Sequence, residues 1–197
     1  MFPLSRPMTC AGLAAALVAF SVAVQAQPAT DASAQIRRTS YGVPHIVAKD
    51  ERGLGYGVGY AYAQDNLCLL ANEVLTVSGE RSRHFGAKGK TLEQRDNLTS
   101  DLFFTWLNSP TAVDAFLQAQ PAQVQALLAG YASGYNRALA ERRREGLPAE
   151  CGNGEWLRSI TSQDLVKLAR RLLAEGGIGA VRSRHWRART HLRWAAS

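Results

Sequence analysis

The sequence has few of the residues and motifs by which many enzymes are recognised. Its 197 residues include three cysteines and four histidines. It contains no G-x-S-x-G, no H-E-x-x-H and no C-x-x-C. No local motif therefore indicates a serine nucleophile turn, a paired-histidine metal site or a dithiol redox site.

The sequence also lacks an apolar run of the roughly 20 residues that a membrane-spanning helix needs. The apolar stretch 11–23 is shorter, follows Arg6 and precedes Val24-Gln25-Ala26. A charged start, an apolar middle and a small-x-small end are typical of a signal peptide. We predict that residues 1–26, with Cys10, are removed on export to the periplasm; a membrane anchor is the alternative.

Acidic residues are absent from the last sixteen positions, which carry five arginines. These arginines and Arg6 account for all but one of the seven net positive charges. The body of the chain is therefore nearly neutral, and the charge does not indicate nucleic-acid binding. We expect one domain over 27–180 and a basic tail over 181–197.

Two cysteines, Cys68 and Cys151, remain after the predicted signal peptide. An even number of cysteines in an oxidising compartment suggests a disulfide between them. Two buried thiols are the alternative. A metal site is disfavoured, because neither residue has a histidine or a third cysteine near it in the sequence.

A glycine-rich helix that follows a hairpin is the most distinctive predicted feature. Extended segments 35–40 and 45–48 flank a turn in which Gly42 tolerates positive φ and Pro44 keeps Val43 out of helical geometry. Asp50 can then cap a helix. Glycines follow at positions 53, 55, 57 and 59. Each costs about 1 kcal/mol inside a helix, so we expect this helix start to be buried closely against a sheet or a second helix.

Two polar residues in this region invite a catalytic interpretation. His45 follows Pro44 in the hairpin, and we predict a structural imidazole bonded to backbone. Asp65 lies inside the long helix, and we predict that it bonds to neighbouring backbone or to a partner chain.

The rest of the chain is predicted to be mainly helical. Ser100 is predicted to cap a short helix, Pro110 to start the next one and Pro121 to open the helix with the clearest apolar period. Thr161-Ser162-Gln163-Asp164 is a capping-box pattern. Gly176-Gly177 is predicted to end the helix that follows.

Several segments carry a resemblance to a known family. They are TSYGVPHIVAKD, GVGYAYAQDNLCLLANEVLTVSGERSRHFG, DNLTSDLFFTWLN, LLAGYASGYNRAL and WLRSITSQDLVKLARRLLAEGGIGA. They resemble the α chain of the penicillin amidase family of N-terminal-nucleophile hydrolases, most of all the periplasmic acyl-homoserine-lactone acylases. The resemblance implies the mostly helical α-chain portion of an αββα fold, α+β in class, with an N-terminal β-hairpin.

The resemblance also implies where the chemistry lies. Family members are precursors that cut themselves, and the new amino-terminal serine of the β chain is the nucleophile, with its own α-amine as base. That serine lies in a Gly-Ser-Asn sequence, which does not occur here. We therefore predict no catalytic residue in this chain, and a partner in the β chain of the same precursor. No cofactor or metal is predicted, because Glu175 alone is poor evidence for a calcium site of six or more oxygens.

Substrate contacts are the contribution that the resemblance leaves to this chain. It places the helix LARRLLAEGG near the acyl-binding cavity, which makes Leu172 and Leu173 candidate walls of an apolar slot for a fatty acyl chain. Their helical spacing fits ordinary core burial equally well.

The predicted function is that of the α-chain fragment of an acyl-homoserine-lactone acylase, which cuts the amide to release a fatty acid and homoserine lactone. A penicillin- or cephalosporin-type acylase and a catalytically inert truncated remnant are the alternatives. The likeness ends at Ala180, and 181–197 has no helical or strand period. We therefore expect a tail that is out of frame or disordered, after a frameshift or premature stop.

Overall fold

The computed structural model describes residues 32–179, which form one antiparallel hairpin followed by helices. Strand β1 spans Ala34–Arg38 and β2 spans Pro44–Ala48. The helices are α1 (Glu51–Ser78), α2 (Arg81–Phe85), α3 (Asn97–Leu107), α4 (Pro110–Gln118), α5 (Ala122–Glu145) and α6 (Ser162–Ala174). A 3-10 turn at Ala149–Cys151 precedes α6, and a π-helical turn at Glu175–Gly179 follows it. The predicted mostly helical α+β class is confirmed, whereas the predicted signal peptide 1–26 and tail 181–197 lie outside the described residues.

The predicted hairpin is confirmed, with strand limits that differ by one or two residues. Ala34 pairs with Ala48, and Arg37 pairs with His45. Gly42 has a φ of +80° and donates its amide to the Thr39 carbonyl at 2.9 Å. The turn therefore needs the left-handed region that glycine enters without a steric penalty.

Helix α1 has glycines on two of its faces. At its start, the Asp50 carboxylate accepts the Gly53 amide at 2.7 Å, which confirms the predicted cap. Gly53 and Gly57 face the hairpin, where a Cβ on Gly57 would lie 2.7 Å from the Ala34 Cβ. Gly55 and Gly59 face α5. The expected burial is confirmed against both a sheet and a second helix.

Helix α5 brings glycines of its own to this contact. A Cβ on Gly55 would overlap the Leu127 carbonyl oxygen of α5. In return, a Cβ on Gly130 would overlap the Arg52 carbonyl oxygen, and one on Gly134 that of Tyr56. The two longest helices therefore touch backbone to backbone, an approach that only residues without a side chain permit.

The hydrophobic core lies where α1, α5 and α6 meet. Its fully buried side chains include Leu75, Tyr135 and Leu139. Cys68 and Cys151, the pair that the sequence analysis singled out, are joined by a disulfide with Cα atoms 5.1 Å apart. Cys68 follows a kink in α1 at Asn66, whose φ of −137° is not helical. The bridge thus fastens the second half of α1 to the turn after α5.

Two predicted helix ends are wrong. Helix α3 begins at Asn97, three residues before Ser100, which is buried inside the helix. Asp96 precedes α3 and pairs with Lys90 through backbone and side chain, so a contact made outside the helix fixes this start. Helix α6 ends at Ala174, before Gly176. Glu175 keeps helical φ and ψ, and the chain continues through both glycines as the π-helical turn.

The glycine contact makes a direct prediction for stability. Gly55→Ala places a methyl group against the Leu127 carbonyl, and overpacking of this kind costs about 1–3 kcal/mol. Urea unfolding followed by far-UV circular dichroism measures this loss. Gly176→Ala is the matched control, because nothing lies within 4 Å of its added Cβ. Equal effects of the two substitutions would contradict the close helix contact.

Candidate functional site

The start of α6 is fixed by one buried carboxylate. Asp164 and Thr161 form the predicted capping box, which is confirmed. The same carboxylate accepts hydrogen bonds from Arg158 at 2.9 and 3.0 Å and from Lys167 at 3.1 Å. Burial alone would raise the pKa of Asp164, but Arg158 and Lys167 outweigh it and hold that pKa well below its usual range.

Arg158 links this cap to the end of α1. Its guanidinium donates to Ser78 Oγ at 3.1 Å and to the Glu80 carboxylate at 3.2 Å. The hydrogen bonds to Asp164 are the main cause that raises the pKa of Arg158. An arginine guanidinium is always charged near neutral pH, so at neutral pH α6 is held by charge pairs.

The far end of α6 is held by two neighbouring arginines. Arg170 donates to the Leu107 carbonyl at 2.6 Å and to Asn108 Oδ1 at 3.1 Å, at the end of α3. Arg171 pairs with Glu73 of α1, with Glu93 and, at 2.8 Å, with Glu175. Burial raises the pKa of Glu73 despite the opposing charge of Arg171. These five contacts, four of which reach α1, the end of α3 and Glu93, thus set the rotation of this helix end.

That rotation leaves Leu172 and Leu173 on the surface of the described chain. They are 69% and 62% exposed, so ordinary core burial within residues 32–179 does not explain them. The apolar side chains of α6 that are buried are Leu165 and Val166. Leu172 and Leu173 thus form an exposed apolar surface at the end of α6, and the contacts of Arg170 and Arg171 fix the position of that helix end.

The hairpin is fastened to α1 by a charge pair. Asp65 accepts from Arg38 at 2.9 Å, and the same guanidinium donates to the Ala61 carbonyl and to Gln64. Asp65 therefore bonds across to β1 and not to neighbouring backbone, the first of its two predicted partners, and its bonding to a partner chain stays a prediction. The His45 side chain is exposed, and its imidazole makes no hydrogen bond within residues 32–179, so the expected backbone-bonded imidazole is not found in that range.

Three concavities occur on the described surface. One of about 330 Å³ lies between the ends of α1 and α3 and the starts of α4 and α6, and Val77, Thr105 and Lys167 line it. The second, of about 420 Å³, adjoins the disulfide at Trp156. The third, of about 480 Å³, lies on the outer face of the hairpin. Leu172 and Leu173 line none of these three concavities.

No metal centre or membrane span is found among the described residues. Within 32–179, no three histidine, cysteine or acidic side chains converge closely enough to hold a metal ion. Helices in the same range do not combine the length and the apolar character that a bilayer crossing requires.

Comparison with known proteins places this geometry in a family. The model of the family described as penicillin amidase matches residues 33–193. The chain belongs to the penicillin amidase family. The match continues past Ala180, and the division of the chain at that residue stays a prediction.

Two relatives and one solved structure illustrate the membership. The acyl-homoserine lactone acylase PvdQ of Pseudomonas putida is 88% identical over 180 residues, which are 91% of this chain and 23% of the relative. The protein of the same name from Pseudomonas fluorescens is 60% identical over 177 residues, 89% of this chain and 23% of the relative. The chain thus spans less than a quarter of the length of these relatives.

The solved structure is a thermostable penicillin G acylase from Alcaligenes faecalis, with a TM-score of 0.64 and 29% identity. The likeness covers 75% of each chain. Because the two shares are equal, the solved chain and this one have about the same length.

Sequence reasoning missed the arginines that organise the site. Arg158, Arg170 and Arg171 each bind acceptors far away in the sequence, such as Glu80 and Glu73. Their spacing in the sequence carries no signal for these partners. Leu172 and Leu173 were identified from the sequence only through the family resemblance.

Proposed function

We propose that this chain is the α-chain portion of an acyl-homoserine-lactone acylase, which hydrolyses the amide and releases a fatty acid and homoserine lactone. The observation that carries the proposal is the 88% identity, over 91% of the chain, to a relative of that name. A penicillin G acylase chain of about the same length as a structural neighbour supports the assignment to one chain of a divided enzyme.

The reacting group is proposed to lie on the β chain of the same precursor. The sequence contains no Gly-Ser-Asn that would supply an amino-terminal serine. The contribution of this chain is therefore scaffold and pocket wall, and we expect no turnover from the chain by itself.

Leu172 and Leu173 are proposed to line the acyl slot. Both are more than half exposed in the described chain, and the adjacent Arg170 and Arg171 fix the helix that carries them. An acyl chain lying against them would bury its methylenes and gain about 0.8 kcal/mol for each one. Long acyl chains would then be favoured over short ones.

Export to the periplasm is part of the same proposal. Residues 1–26 have the three regions of a signal peptide. An oxidising compartment would also maintain the Cys68–Cys151 disulfide.

A penicillin- or cephalosporin-type acylase is the second candidate, and the structural likeness to a penicillin G acylase favours it. The two candidates differ in the acyl group that the slot accepts. Activity on phenylacetyl amides but not on long-chain acyl-homoserine lactones would select the second.

Co-expression tests the function directly. We expect that the chain, expressed with the part of the Pseudomonas putida relative that lies outside the match, gives amidase activity on dodecanoyl-homoserine lactone, measured by release of homoserine lactone. Neither piece alone should be active. The matched control is the relative's own corresponding segment in place of this chain. Activity with the control but not with this chain would show an inert remnant.

The acyl slot has its own test in the co-expressed enzyme. We expect Leu172→Ala and Leu173→Ala to lower kcat/KM for dodecanoyl substrate more than for hexanoyl substrate. A loss of about 1–2 kcal/mol would change this ratio by roughly 5- to 30-fold. Leu92→Ala is the matched control, because Leu92 is 59% exposed and lies outside α6. An unchanged ratio in both α6 variants would remove these leucines from the slot.

A further inference from the structure

Helix α3 has its polar side inward and its apolar side outward. The side chains that it buries are Asn97, Ser100, Asp101 and Phe104. Only the last of these is apolar. A surface helix of a self-sufficient domain has the opposite arrangement, with an apolar stripe facing the core.

Two residues of the buried polar side, Asn97 and Asp101, bond to α2 and to Gly86, which follows it. Asp101 accepts the backbone amides of Arg81 at 3.1 Å and Ser82 at 2.7 Å, and so satisfies the first amides of that helix. Asn97 is fully buried, accepts from Arg81 Nε at 2.9 Å and donates to the Gly86 carbonyl at 2.9 Å. Rotation of α3 about its axis would leave these buried polar groups without hydrogen-bond partners, which costs free energy.

The other end of α3 is tied in the same way. Asn108, its last flanking residue, donates to the Val77 carbonyl of α1 at 2.9 Å. Gly79 lets α3 lie close, because a Cβ there would lie 2.5 Å from Thr105 Oγ1. The helix therefore cannot rotate to hide its apolar side.

The outward side forms what we call the α3 patch: Leu98, Leu102, Phe103 and Trp106. They are 50%, 65%, 38% and 74% exposed. The first, second and fourth recur at intervals of four residues, so they lie on one stripe. No charged side chain of α3 lies on its exposed side, where Thr99 and Thr105 are the polar residues. Contiguous exposed apolar surface of this kind marks a protein interface.

We propose that the α3 patch is a docking surface for the part of the acylase polypeptide that this chain does not include. This inference rests on the proposed function. Relatives carry more than three quarters of their length outside the matched segment, which is enough polypeptide to cover a surface of this size. Leucine, phenylalanine and tryptophan without charge fit a partner that is itself apolar, and aromatic residues dominate the energy of such contacts.

The test uses the chain co-expressed with the remainder of the Pseudomonas putida relative, and the readout is co-purification through a tag on the chain. Leu102→Glu and Trp106→Glu should each lower the recovered partner at least about tenfold. The thermal unfolding midpoint of the chain should stay unchanged, because both side chains are exposed. Leu92→Glu is the matched control, with the same new charge and similar exposure, and should recover partner as the unchanged chain does.

Three results would overturn the docking surface. Both patch variants could recover the partner fully, or Leu92→Glu could fail as they do. Alternatively, sedimentation could show that the chain forms a dimer that Trp106→Glu dissociates, which would make a second copy the occupant. Co-purification without amidase activity would instead contradict the proposed function and leave the docking surface standing.

Discussion

The contact between the backbones of α1 and α5 is the constraint on which the rest of the described structure depends. Four glycines, at 55, 59, 130 and 134, remove the side chains that would keep the two helices apart. Each glycine in a helix costs about 1 kcal/mol, and the close contact offsets this loss through packing on both sides. A second pair, Gly53 and Gly57, seats the hairpin on the same helix. Helix α1 thereby positions both the β1–β2 hairpin and α5.

Outside the glycine contacts, arginine side chains connect the helices through hydrogen bonds. Arg81 is 4% exposed, and burial lowers its pKa, yet its donors reach Asn97, Asn72, Thr76 and the Lys90 carbonyl. Buried charge of this kind is tolerated only when nearly every donor is satisfied. Arg158 and Arg171, which are partly buried, likewise donate to several acceptors, so directional bonds help to set the positions of the peripheral helices. This arrangement leaves apolar side chains free to face outward at α3 and at the end of α6.

Local signals in the sequence account for the elements that were predicted correctly. Asp50, Pro110, Pro121 and Thr161 act within one helical turn, so their effect can be read without the fold. The alternating glycines of α1 indicated close packing, because the stability that they cost the helix must be offset by contacts. Ser100 failed as a cap because the start of α3 is fixed by the pairing of Lys90 with Asp96. The inverted polarity of α3 could not be predicted, since Asn97 and Asp101 are buried by contacts with α2.

The described chain therefore combines a rigid interior with an apolar exterior that suits one part of a larger enzyme. Its interior is complete, with a core and a disulfide between distant segments. Its surface carries Trp106 at 74% exposure and Leu172 at 69%, and Trp106 belongs to the apolar α3 patch, the kind of feature that indicates an interaction surface. This surface suits the proposal that the chain serves as scaffold and that the reacting group lies on the β chain.

Hydrogen–deuterium exchange measured by mass spectrometry tests the central role of the helix contact most directly. Amides in the contact regions of α1 and α5, around Gly59 and Gly134, are expected to exchange slowest of all and only through global unfolding. Amides of α4 should exchange much faster, because Val113 is its one buried side chain. Exchange around Gly59 and Gly134 as fast as in α4 would contradict the account.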